Sequence, residues 1–245
     1  MSSARVALVT GSSSGIGEAV ARRLADDGYR VVVNSARSVE AGEKIAASLP
    51  DAVYLQADVA QEQDCHRLVR ETLDRFGRLD VLVNNAGTTR AIPHADLEAA
   101  TPQVWRDIFA VNVFGTWQLT VAAMPALRSS GDASVVNISS LAGNRPAGSS
   151  IPYAVSKAAI EHMTRLLAAT VGPRVRVNAV APGLVETPWT RGKDFFAPIA
   201  EQVAQLAPLR RVGLPEDVAQ AVLALLGAAY TTGQVLLVDG GSHLR

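Results

Sequence analysis

Val6-Ala7-Leu8-Val9-Thr10-Gly11-Ser12-Ser13-Ser14-Gly15-Ile16-Gly17 is the stretch whose reading decides the fold of this 245-residue chain. Residues 5–9, with their apolar run Val6-Ala7-Leu8-Val9, predict a strand, and a Gly/Ser loop leads from it into a segment of helical spacing. Over 15–27, Ile16, Val20 and Leu24 share one helical face, with Arg22, Arg23 and Asp26 elsewhere. Gly28 then supplies a C-terminal stop. Glycines let such a loop turn tightly and bring its backbone close to a ligand without a Cβ in the way. A helix beginning at Gly15 would aim free N–H groups and a positive dipole end at an anion such as phosphate. The spacing is G-x-x-x-G-x-G, which by itself also fits a Gly/Ser turn with no ligand.

Outward from this unit, strand and helix signals keep alternating. Strands are predicted at 30–34, 52–56, 79–84, 134–139, 175–180 and 234–239. Helices are predicted at 39–49, 61–76, 153–170 and 215–226, and a long one from Pro102, capped by Thr101. Several strands are continuously apolar, the pattern of a parallel sheet buried on both faces. The repeated order predicts an α/β fold: one domain over 1–245, with a doubly wound parallel β-sheet and helices on both faces. Residues 183–205 are the least regular and read as a lid or a loop.

Composition narrows the function classes. Lys+Arg and Asp+Glu are 23 each, so no basic excess exists for a nucleic-acid backbone. Hydrophobic residues at 48% against 19% charged exclude a disordered chain. The lone Cys65 excludes an internal disulfide, and the scattered His66, His94, His162 and His243 give no metal-ligand spacing, so no metal is expected. The N-terminal apolar run is too short for a signal peptide. The longest apolar stretch, about 219–229, is broken by Gln220 and Gly227 and is too short for a membrane span. A cytoplasmic protein with no membrane partner is the expectation.

Tyr153 and Lys157 lie four residues apart in a predicted helix and so share a face. A free phenol titrates near 10, and a neighbouring ammonium favours phenolate, so the spacing predicts a lowered phenol pKa. Such a phenol could donate a proton to a carbonyl oxygen or remove one from an alcohol. Alone, the pair reads more readily as an aromatic residue beside a solvated lysine. Ser140, 13 residues earlier, ends a predicted strand, where sheets of this kind bind ligands. Its hydroxyl could hold a substrate oxygen against Tyr153.

With these motifs the chain resembles the short-chain dehydrogenase/reductase family along nearly its whole length. The resemblance rests on the glycine loop, Asn84-Asn85-Ala86-Gly87, Val111-Asn112-Val113-Phe114-Gly115-Thr116 and Asn137-Ile138-Ser139-Ser140. It continues through Tyr153-Ala154-Val155-Ser156-Lys157, Pro182-Gly183 and Val238-Asp239-Gly240-Gly241. It implies a Rossmann-type sheet and a catalytic set of Asn112, Ser140, Tyr153 and Lys157. Ser140 is preferred to Ser139 because Ser140-Leu141-Ala142-Gly143 matches the family's S-x-x-G. Asn112 would help hold a water linking the lysine to solvent.

The same resemblance implies a nicotinamide dinucleotide. Gly11, Ser13, Ser14, Gly15, Ile16 and Gly17 would cradle its phosphates, and Asp58 and Val59 would meet the adenine. Asn85, Ala86 and Gly87 would lie near the adenosine ribose. Tyr153, Lys157, Pro182, Gly183, Val185 and Thr187 would lie near the nicotinamide. After the second strand, Ser35 stands where NAD users carry an acid, and Arg37 follows. A planar guanidinium suits a 2′-phosphate, so NADP(H) is expected over NAD(H).

The chain looks most like 3-oxoacyl-acyl-carrier-protein reductases. That implies a small-molecule ketone or alcohol substrate, with carrier- and CoA-bound forms included. Reduction of a ketone by NADP(H) is the leading expectation. NAD-dependent oxidation of a secondary alcohol, and a non-catalytic nucleotide sensor on the same fold, remain open. Trp189, Phe195 and Phe196 are candidates to line the substrate pocket or simply to pack under the loop. Arg128, Arg174 and Arg176 are candidates to dock an acidic carrier, or ordinary surface arginines. Family members assemble as dimers or tetramers through the helices here at about 102–128 and 153–170, so a homo-oligomer is expected.

Overall fold

Val6, Ala7, Leu8 and Val9 are all fully buried, because strand β1 (Val6–Val9) runs through the middle of a sheet covered on both faces. The structure is a computed structural model that describes residues 4–192 and 194–244. The further strands are β2 (Arg30–Ser35), β3 (Ala52–Gln56), β4 (Val81–Asn84), β5 (Ala133–Ile138), β6 (Val175–Pro182) and β7 (Val235–Val238). They form one seven-stranded sheet in the order β3-β2-β1-β4-β5-β6-β7. Every adjacent pair is parallel. The predicted doubly wound sheet is therefore the observed one.

Alternate side chains of one strand point to opposite faces, which explains the continuously apolar runs. Ala7, Val9, Val31, Val33, Val81 and Val83 join one core with Val20 and Leu24 of α1 (Gly15–Asp26) and Val218 and Val222 of α8 (Pro215–Gly227). Val6, Leu8, Val32 and Leu82 join the other, against Leu68 of α3 (Glu62–Phe76), Leu119 of α5 (Thr116–Ser130) and Leu167 of α6 (Ile151–Val171). Truncating Leu82 to alanine would cost about 2–5 kcal/mol, because its fully buried site cannot collapse around the void. The remaining helices are α2 (Val39–Ala47), α4 (Pro102–Phe109) and α7 (Ala197–Leu206).

Three expectations change. The helix predicted from Pro102 is not uniform: α4 passes into a π-helical stretch, Ala110–Gly115, before α5. The irregular region predicted over 183–205 contains α7, missed because Pro198 reads as a breaker, although it sits here in the helix's first turn. Among the described residues one helical run, Pro102–Ser130, is long and apolar enough by length and composition alone to cross a membrane, where no such span was expected from sequence. Leu119, Ala123 and Leu127 of that run are buried in the second core, which accounts for one of its faces.

Because β1 is followed by β2 and β3 on one side and flanked by β4 on the other, the winding reverses at the β1–β4 boundary. The carboxyl ends of parallel strands at such a reversal leave a crevice. The candidate site opens there.

Candidate active site

The loop after β1 turns back on itself within van der Waals reach of its own helix. A Cβ on Gly17 would stand 2.4 Å from the Gly11 carbonyl and 2.5 Å from the Asn85 amide nitrogen. Only glycine allows that approach. The Asn85 amide donates to the carbonyls of Thr10 and Gly11 at 2.8 and 3.0 Å, and so holds the loop to the end of β4. Ser14 begins α1 without a side-chain cap, which leaves the first-turn N–H groups facing the cleft. A clearance without side chains at an uncapped helix start fits the pyrophosphate of a dinucleotide.

The cleft has a volume of about 430 Å³. It gathers Gly11, Ser13, Ser14, Gly15, Ile16, Gly17, Asn85, Ala86 and Gly87 with Ser140, Tyr153, Lys157, Pro182, Gly183, Val185 and Thr187. These include every residue predicted at the phosphates, at the adenosine ribose and at the nicotinamide. Ser35, Arg37, Asp58 and Val59 lie outside this enclosed part. Ser35 is buried, with its hydroxyl 2.9 Å from that of Tyr54, so it leans into the fold rather than toward a ligand. Arg37 is exposed and makes no ion pair among the described residues. Asp58 accepts from Ala60 N at 3.0 Å, and Val59 is buried in the second core.

Helix α6 places the phenol. Ser150 caps it, accepting from Tyr153 N at 3.4 Å, and Pro152 occupies the first turn, so Tyr153 enters the cleft at the helix start. Lys157 follows one turn later; its Nζ donates to the Ile138 carbonyl at 2.8 Å and lies 5.6 Å from the Tyr153 ring centre. Burial holds the ammonium's pKa down, at about 8. The Tyr153 phenol is raised above its ordinary value, chiefly by burial, while a hydrogen bond with Ser140 draws it part-way back. This reverses the lowered phenol predicted from the Tyr–Lys spacing. Removing the phenolate from water outweighs an ammonium whose nearest acceptor is a backbone carbonyl.

Ser139 and Ser140 part company here. Ser140 lines the cleft and meets the phenol. Ser139 is buried and donates to the Lys157 carbonyl and to Glu161. Asn112 sits in the π-helical stretch, where its amide is fully engaged. Its Oδ1 accepts from Thr88 N at 2.8 Å, and its Nδ2 donates to Thr88 O and to Ser156 Oγ, both at 3.0 Å. Ser156 in turn donates to the Tyr153 carbonyl at 2.7 Å. Asn112 thus reaches α6 through Ser156 among the described hydrogen bonds.

Over the phenol lies Trp189, edge-on to Tyr153 with ring centres 6.2 Å apart. Phe196 also lines the cleft, whereas Phe195 packs against Phe196 at 5.1 Å. Ile199 and Val203 of α7 complete this apolar wall and were missed from sequence, although their spacing of four is the helical signal that would have found them. Of the basic residues considered for carrier docking, Arg176 is excluded. Its guanidinium caps the end of α8, donating to the carbonyls of Leu225, Leu226, Ala228 and Thr231. Cys65 is buried, with its thiol pushed up to about 12, so it is inert as a nucleophile.

A family model described as Enoyl-(Acyl carrier protein) reductase matches residues 11–243. A relative from Streptomyces violaceoruber, assigned as ketoacyl reductase 2 of the granaticin polyketide synthase, is 73% identical over 241 residues, covering 98% of this chain and 97% of its own. A 3-oxoacyl-[acyl-carrier-protein] reductase from Synechocystis is 38% identical over 246 residues, covering 97% and 96%. Among solved structures, a short-chain dehydrogenase/reductase from Burkholderia xenovorans superposes with a TM-score of 0.92 at 36% identity and complete coverage of both chains. A 3-ketoacyl-(acyl-carrier-protein) reductase from Brucella melitensis complexed with NADH gives 0.88 at 32% identity, covering 98% of each. With this sheet, this cleft and these relatives, the chain belongs to the short-chain dehydrogenase/reductase family.

Proposed function

We propose that this enzyme is an NADP(H)-dependent ketone reductase acting on a 3-oxoacyl thioester or a related small-molecule ketone, which it converts to a secondary alcohol. The carrying observation is the convergence of the Ser140 hydroxyl, the Tyr153 phenol and the Lys157 ammonium at one end of the cleft whose other end is a glycine cradle. The names of the ketoacyl reductase relatives support the substrate class. The phenol, raised by burial and hydrogen-bonded to Ser140, is placed to donate a proton to a substrate oxygen.

The substrate carbonyl oxygen accepts hydrogen bonds from Ser140 and Tyr153, which polarises the carbon. When bound, the reduced nicotinamide supplies the hydride that this carbon takes up. Tyr153 delivers its proton to the oxygen as negative charge develops there, and the Lys157 ammonium stabilises the phenolate left behind. Asn112 and Ser156 hold the start of α6 in place. Trp189, Phe196, Ile199 and Val203 form a lid over this end that excludes water and takes the apolar part of the substrate.

NADP(H) is favoured over NAD(H) by the absence of a carboxylate at Ser35 and by the exposed Arg37 guanidinium, which forms no ion pair among the described residues. The neighbour complexed with NADH motivates the second reading, an NAD(H) enzyme. Steady-state kinetics with both cofactors separates the two. Phe114, Trp117 and Val121 on one helix and Val155 and Leu166 on α6 leave apolar side chains exposed, which supports a homo-oligomer assembled through these faces. The decisive variant is Tyr153→Phe. Consumption of NADPH with a ketone panel should fall by about 10²-fold or more, with NADPH binding retained. Turnover within tenfold of the parent would refute the assigned acid.

A further inference from the structure

Glu161 is 3% exposed, deep behind the cleft, and does not touch it. It lies on α6 one turn past Lys157 and two turns past Tyr153, so one helical stripe carries phenol, ammonium and carboxylate. Its Oε1 accepts from Ser139 Oγ at 3.1 Å and from Asn144 Nδ2 at 3.3 Å. Those two residues bracket the segment that carries Ser140. Between them, the backbone of Gly143 lies against the carboxylate: a Cβ there would stand 2.6 Å from Oε1 and 3.0 Å from the Lys157 carbonyl carbon. Ser139 Oγ also donates to the Lys157 carbonyl, at 3.2 Å.

We infer that Glu161 is a positioning residue, which clamps the 139–144 loop to the catalytic helix and so sets the Ser140 hydroxyl in register with the Tyr153 phenol. The inference rests on the reading of Ser140 as the group that holds the substrate oxygen. Stability alone is a poor reason for this carboxylate. Its one ion pair among the described residues is with Arg165, half exposed and 3.8 Å away, and a well-packed apolar side chain in place of such a pair is commonly neutral or stabilising. Position is a better reason. Ser140 and Tyr153 come from different elements, and a misplacement of about 1 Å between reacting groups can cost on the order of 10²-fold in rate.

The test compares Glu161→Ala with Glu161→Gln, whose amide oxygen can still accept from Ser139 and Asn144. For Glu161→Ala, kcat should fall at least about fivefold, while the NADPH Kd stays within about twofold of the parent. Glu161→Gln should recover at least half of that loss on a logarithmic scale. A smaller fall in kcat, a parallel weakening of NADPH binding, or a glutamine variant no better than alanine would overturn the inference. Should Glu161→Ala not fold, Ser139→Ala, which removes only a hydroxyl, carries the same kcat and Kd thresholds. Ser140→Ala is measured alongside. Full turnover there refutes the role of Ser140 itself, whereas a dead Ser140→Ala beside an active Glu161→Ala refutes only the clamp.

Discussion

Replacing Lys157 with methionine should abolish turnover and make the fold more stable at neutral pH. The lysine is 4% exposed, and among the described residues its ammonium has one hydrogen-bond acceptor, the Ile138 carbonyl. Burial lowers its pKa from the ordinary 10.5 to about 8. At about 1.36 kcal/mol per tenfold change in proton affinity, folding with this charge costs about 3 kcal/mol relative to folding with the neutral amine. Methionine fills similar space without a charge. It forfeits the bond to Ile138, worth about 1–2 kcal/mol when the carbonyl is left unpaired. The balance favours the variant by about 1–2 kcal/mol at pH 7, or roughly 2–8 °C in melting temperature for a chain of this size.

The pH dependence carries the sharper signature. At pH 7 the lysine is protonated in both folded and unfolded chains. Between about 8 and 10.5 the folded chain has lost this proton and the unfolded chain still binds it, so the parent gains stability as pH rises. The methionine variant lacks this gain, and its advantage should shrink or reverse by pH 10. Thermal unfolding of both proteins at pH 7 and pH 10, followed by circular dichroism, measures the difference. A variant less stable than the parent at pH 7, or a gap that does not change with pH, would show that burial of this ammonium does not oppose folding.

Two further outcomes test the cofactor end. Arg37→Ala should raise the KM for NADPH about tenfold or more while leaving that for NADH nearly unchanged, because it removes the exposed guanidinium that would pair with a 2′-phosphate; equal effects on both cofactors would remove the basis for NADP(H) preference. Gly17→Ala should abolish dinucleotide binding in a fluorescence titration and lower stability by about 1–3 kcal/mol, since its Cβ would meet the Gly11 carbonyl at 2.4 Å; intact binding would mean the loop can move aside.

Local chemistry written along the chain was enough to determine the fold, and the family resemblance of its motifs pointed to many of the residues that line the cleft. Continuous apolar runs at β1, β2 and β4 demand cover on both faces, and the glycine loop, Ser140 and Tyr153 sit at strand ends or a helix start because caps and turns are local, with Lys157 one turn further along the same helix. Only the tertiary structure decided how these groups titrate and what holds them. The Tyr–Lys spacing pointed to a lowered phenol, yet desolvation depends on everything packed around the ring, and it prevails. Arg176 as the cap of α8, the lid residues Ile199 and Val203, and Glu161 behind the Ser140 loop were equally hidden. Each acts on a partner distant in the chain, and a sequence specifies such a pairing only once the sheet has brought the two ends together.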